Sequence, residues 1–221
     1  MNASVIREAF AELIHALSNS VVESGVVSLA DGTLLMKAPA IVGKNAPTRG
    51  YLHEIYGPLD EQDIERMQNL IGRELPIQLR QLFLECNGFS LFFGSLSIGG
   101  YVKSFSRSSE NYSPISLEYG NTKELPEEGS GLTESGDQVR FGFYSYGDGF
   151  TLAINLRGSG EVLLTPQHKK GPVFFRWSSL AEFLRFEISR MVHYYSKNEE
   201  TISLFSSIPP PHLCNQDRML S

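Results

Sequence analysis

The chain is poor in the residues that staple a fold or ligate a metal. It has two cysteines in 221 residues, Cys86 and Cys214, which form neither a disulfide framework nor a zinc pattern and so fit a reducing compartment, the cytoplasm. No stretch approaches the roughly 20 apolar residues of a membrane span, and the opening Met1-Asn2-Ala3-Ser4-Val5-Ile6-Arg7-Glu8 lacks the continuous apolar centre of a signal peptide. No glycine loop ends in Gly-Lys-Ser or Gly-Lys-Thr, and none has the Gly-x-Gly-x-x-Gly spacing after a strand. Ser130 and Ser159 each stand between glycines without the outer glycines of a nucleophile elbow, and read as turn residues. The five histidines, His15, His53, His168, His193 and His212, stand singly, none with a partner at metal-ligand spacing. Neither a cofactor nor a metal is expected, and the sequence carries no sign of an enzyme. Positive charge is also scarce: 19 Lys and Arg against 25 Asp and Glu give a net charge of -6, which disfavours direct contact with nucleic acid or anionic membrane and favours basic protein partners.

What is present is an ordinary globular composition, 41% hydrophobic and 20% charged, enough for a sizeable core. The organising stretch is Leu75 to Gly88. Pro76 suits a first helical turn, where a missing N–H costs nothing. Leu75, Leu79, Leu82, Phe83 and Cys86 recur at spacings of three and four on one face. Asn87 and Gly88 tolerate a left-handed conformation and end the helix. Cys86 on that stripe reads as a small core hydrophobe.

Upstream, residues 3–18 form an amphipathic helix with Ile6, Phe10, Leu13 and Leu17 on one face, and Asp31-Gly32 predicts a hairpin turn between two short strands. Asp60 caps a helix over 60–71, Leu59 staples against Ile64, and Gly72 stops it. Downstream of Gly88 come short β-prone runs, Leu91-Phe92-Phe93, Leu96-Ser97-Ile98 and Tyr101-Val102, then an acidic insertion over 106–138. Val139, Phe141 and Phe143 alternate with Arg140, Tyr144 and Tyr146, the period of a half-buried strand, and Gly147-Asp148-Gly149 reads as its turn. A meander continues to Trp177. Ser179 and Glu182 form a capping box for a closing helix with Leu180, Phe183, Leu184, Ile188, Met191, Val192 and Tyr195 on its stripe. The tail beyond Lys197, with Pro209-Pro210-Pro211, is expected to pack loosely or to be disordered.

A helix closing on Gly, then Leu-Pro, then a helix closing on Asn-Gly resembles the opening of the SUKH superfamily, which includes bacterial toxin-immunity proteins and a yeast cell-wall-assembly regulator. Phe141 to Phe150 resembles that family's central hairpin, Gly171 to Trp177 its last strand, and Ser178 to Leu184 the start of its closing helix, over roughly residues 55–197. The expected architecture is α+β: a twisted antiparallel sheet with helices packed on it. Residues 1–50 form a helix-hairpin extension, 51–197 the SUKH-like domain and 198–221 a tail.

The resemblance implies a noncatalytic immunity protein that binds a cognate bacterial toxin, often a nuclease, and blocks it. Such toxins are basic because they bind phosphates. The candidate contact residues are the acidic Glu118, Glu124, Glu127, Glu128 and Asp137 of the insertion, with Asp148 and the tyrosines Tyr101, Tyr144 and Tyr146, taken to point outward as anchors. The rival readings are a regulatory scaffold for endogenous proteins, as the yeast relative suggests, a solvated acidic face without a partner, and a hydrolase whose site no motif marks.

Overall fold

The computed structural model describes residues 3–19, 25–37, 51–103, 113–121, 138–156, 160–167, 172–198 and 207–214. Among these the strands form one nine-stranded sheet in which every strand pairs antiparallel with its neighbour in sequence. The order is β1 (Val26–Ser28), β2 (Leu34–Lys37), β3 (Tyr51–Ile55), β4 (Phe89–Leu91), β5 (Leu96–Ile98), β6 (Gln138–Tyr144), β7 (Phe150–Asn155), β8 (Val162–Pro166) and β9 (Phe175–Trp177). The helices are α1 (Ala3–Ser18), α2 (Glu61–Ile71), α3 (Ile77–Glu85), α4 (Leu180–Asn198) and the short α5 (Pro211–Cys214). The expected α+β class is what the chain adopts.

The core lies between one sheet face and the helices. Met36, Leu52, Phe89, Leu96, Val139, Leu152, Leu164 and Trp177 meet Leu13 and Leu17 of α1, Ile64 and Met67 of α2, Leu79 and Phe83 of α3, and Phe183 and Ile188 of α4. Strand β3, which the sequence reading leaves unassigned, pairs with both β2 and β4. The N-terminal hairpin thus continues the same sheet, while α1 packs against α3 and α4.

Local signals set most helix ends. Asp60 accepts the Asp63 N–H at 2.8 Å, Gly72 closes α2 at φ 67°, and Leu59 and Ile64 are both buried. The stripe Leu75, Leu79, Leu82, Phe83 and Cys86 is buried throughout, and burial pushes the Cys86 thiol up to about 12. Helix α3 ends one step earlier than expected, with Cys86 already extended at φ -156° and Gly88 alone taking the left-handed turn at φ 82°. The capping box of α4 is split over two serines: Ser179 Oγ accepts the Glu182 N–H, while the Glu182 carboxylate accepts the Ser178 N–H at 2.6 Å.

One expectation fails in β6. Tyr144 is fully buried rather than outward, and Phe143 is half-buried. The pairing runs Arg140 with Ala153 and then Gly142 with Leu152, so Phe141 is an extra residue at a bulge. An inserted residue shifts the parity of everything after it. Gly142 permits the close approach, since a Cβ there would lie 2.5 Å from Ile98 Cδ1 and 2.6 Å from the Ser97 carbonyl oxygen. Phe92 and Phe93 also depart from the strand expectation. They form a corner at φ 51° and 55°, left-handed values that bulky residues adopt only when their surroundings enforce them.

Candidate protein-interaction surface

The β6–β7 turn carries two of the sequence-predicted contact residues. The Gly149 N–H donates to the Tyr146 carbonyl at 3.0 Å, which leaves Tyr146 half-buried and Asp148 exposed at the tip. Beside it the Ser145 hydroxyl donates to the Gly94 carbonyl at 2.6 Å and its N–H to the Ser95 carbonyl at 3.2 Å, locking the turn to the β4–β5 corner.

Tyr101 and Glu118 lie elsewhere. The chain leaving β5 forms a parallel bridge between Gly100 and Ser116, with the Gly100 N–H on the Ile115 carbonyl and the Leu117 N–H on the Gly100 carbonyl. Tyr101 follows that bridge and is half-buried, and Glu118 follows it in the 3-10 turn Leu117–Gly120. Nearby, Lys103 and Arg66 both reach Asp63, at 2.6 and 3.3 Å. This corner lies past the Ile98 end of β5, whereas Tyr146 and Asp148 lie past its Leu96 end, opposite Tyr144. The two pairs therefore flank opposite ends of the strand and do not form one patch. Tyr144 belongs to neither, being interior. Glu124, Glu127, Glu128 and Asp137 lie outside the described residues.

The interior also holds ionisable groups outside the predicted contact set. His53 is fully buried on β3, its Nδ1 accepts the Phe92 N–H at 3.3 Å, and its ring meets Phe92 edge-on at 4.6 Å. Burial pushes it down to about 3. Glu187, also fully buried, is held by Arg190 through Nε at 2.9 Å. Burial raises its carboxyl despite that cation. The Tyr144 hydroxyl lies against this pair and is pushed up by burial, with no well-formed hydrogen bond of its own among the described residues. His53 holds the Phe92 corner, whose ring also meets Tyr195 of α4 with centroids 5.5 Å apart. The sequence signal is position: Glu187 lies on the stripe of α4 between Leu184 and Ile188, whereas His53, beside Glu54, carries no such signal.

The described residues contain no group of three or more His, Cys, Asp or Glu arranged to hold a metal ion. No helix among them is long and apolar enough to cross a membrane. Between α1 and α4 lies a groove of about 440 Å³, floored by Leu13, Leu184 and Ile188 and spanned by a paired Arg185–Glu12 contact at 2.7 and 3.0 Å.

The described residues form an antiparallel meander backed by helices, with Asp148 exposed and Tyr146 half-buried at its β6–β7 turn. Residues 58–185 match the SMI1 / KNR4 family (SUKH-1), and with more than half of the chain covered the protein belongs to that family. No curated protein matches the chain.

Proposed function

We propose that this is a noncatalytic immunity protein that binds a cognate bacterial toxin in the cytoplasm and neutralises it by protein-protein contact. The observation that carries the reading is membership of the SUKH-1 family across residues 58–185. The acidic balance, a net charge of -6, supports a basic partner such as a nuclease, because carboxylates laid where phosphates would lie accelerate encounter and bar the substrate. In this reading Tyr101 with Glu118 and Tyr146 with Asp148 contribute at separate contact points, and the acidic insertion supplies the steering.

The test is co-expression. The toxin encoded beside this gene should arrest growth alone, and the full chain should restore it and co-purify with the toxin as a stoichiometric complex. Recovery of endogenous regulatory proteins from the native host, with no growth rescue, would replace the immunity reading with that of a regulatory adaptor.

A further inference from the structure

The C-terminal segment returns to the sheet. Ser207 Oγ donates to the Ser145 carbonyl at 2.8 Å, and the Ile208 N–H donates to Ser95 Oγ at 3.0 Å, with the Ile208 side chain fully buried in the core. Pro209, Pro210 and Pro211 are buried behind it. His212 then stacks on Phe174, with ring centroids 4.6 Å apart at 8°, and meets Phe150 edge-on at 4.9 Å. The Leu213 N–H closes the segment on the Pro210 carbonyl at 3.1 Å. A run of prolines has no N–H groups to leave orphaned and loses little entropy on ordering, which is why aromatic-lined grooves recognise such segments.

We propose that the floor made by Ser95, Ser145, Phe150 and Phe174 is a docking groove for a proline-rich segment of a partner protein that runs irregularly and then closes in a helical turn, with Ser207–Leu213 as its tethered resident. The chemistry of the occupant is read from the one seated there: a buried aliphatic residue, three prolines and a ring. The fit is graded. Ile208 is sealed, but at the other end Phe174 is 39% exposed and the buried Nδ1 of His212 has no hydrogen-bond partner among the described residues. An unsatisfied buried nitrogen leaves its desolvation uncompensated, so the resident is held there mainly by the His212 ring contacts with Phe174 and Phe150 and displacement starts from that end. The resident is joined covalently to the groove, so a free ligand must compete with an intramolecular partner. Its test requires no toxin.

Two measurements on the full chain decide the matter. In native-state hydrogen exchange, the Ile208 and Leu213 amides should exchange through local opening, roughly a hundredfold faster than the β7 amides. Exchange only with global unfolding would mean a fixed part of the fold and overturn the proposal. In the second, a fluorescent peptide Ser-Ile-Pro-Pro-Pro-His-Leu is titrated onto the wild type, onto Ile208→Ser and onto His212→Ala, the last disturbing the core least. Both variants weaken the resident, so each folded variant should bind the peptide at least threefold more tightly than the wild type, and adding Phe174→Ala should abolish the gain. No gain in a variant that keeps its cooperative melt, or a gain indifferent to Phe174, overturns the proposal.

Discussion

Asn87 and Tyr101 are joined in both directions: the Asn87 carboxamide donates to the Tyr101 carbonyl at 2.8 Å and accepts the Tyr101 N–H at 2.7 Å. One side chain thus serves as a strand rung where β5 has ended. Asn121 does the same for Arg140, donating to its carbonyl at 2.7 Å and accepting its N–H at 3.0 Å, at a point on β6 beyond the reach of β5. Two asparagines supply ladder bonds where the sheet itself is too short.

Asn87→Ala should therefore strand two backbone groups in a nearly closed site and cost roughly 2–3 kcal/mol. Urea unfolding of the variant beside the wild type measures this. A loss under about 1 kcal/mol would mean that water replaces the carboxamide.

His53 makes stability depend on pH. Its ordinary value of 6.5 falls to about 3 in the fold, so the unfolded chain takes up a proton that the folded chain refuses. Stability is complete above about pH 6.5 and declines as the pH drops towards 3, by up to about 1.4 kcal/mol per pH unit. His53→Gln keeps an acceptor for the Phe92 N–H and cannot titrate, so its Tm should fall less steeply between pH 6.5 and 4.5. Glu187 titrates in both proteins and cancels from the comparison. Parallel curves would exclude His53 as the source.

The bulge in β6 makes Tyr144 a core residue. Tyr144→Ala should cost about 3–5 kcal/mol, and Gly142→Ala about 1–3 kcal/mol through the clash with Ile98 and Ser97. Thermal unfolding is the readout. A Tyr144→Ala variant as stable as the wild type would put the side chain back at the surface.

Charge reversal of the insertion separates steering from contact. Glu124→Lys, Glu127→Lys and Glu128→Lys together should slow association with a basic toxin about tenfold at low salt, with the difference shrinking as salt rises and dissociation little changed. Stopped-flow mixing over a salt series reads it. An unchanged association rate at low salt would remove the insertion from the encounter.

Much of this was legible in the chain because it is local. Asp60, Gly72, the Leu75-to-Cys86 stripe and the Ser179–Glu182 cap each act over three or four residues, within which backbone hydrogen bonding and side-chain spacing fix the outcome. The antiparallel meander followed for the same reason, since each strand pairs with its neighbour in sequence.

The rest needed partners distant in sequence. Period-2 alternation places Tyr144 outward until Ser97, Ile98 and Leu152 impose a bulge around Gly142. Phe92 and Phe93 look like strand residues until His53 and Leu52 accept their N–H groups and turn them into a corner. A triple-proline tail reads as loose until Ser95 and Phe174 receive it. The sequence by itself determined helices α1 to α4, the antiparallel meander and the acidic balance, because propensity, capping and charge are properties of neighbours. Tertiary structure alone decided which tyrosines face out, which histidine stays neutral and where the tail lies, because burial and register are set by whichever chain segment arrives opposite.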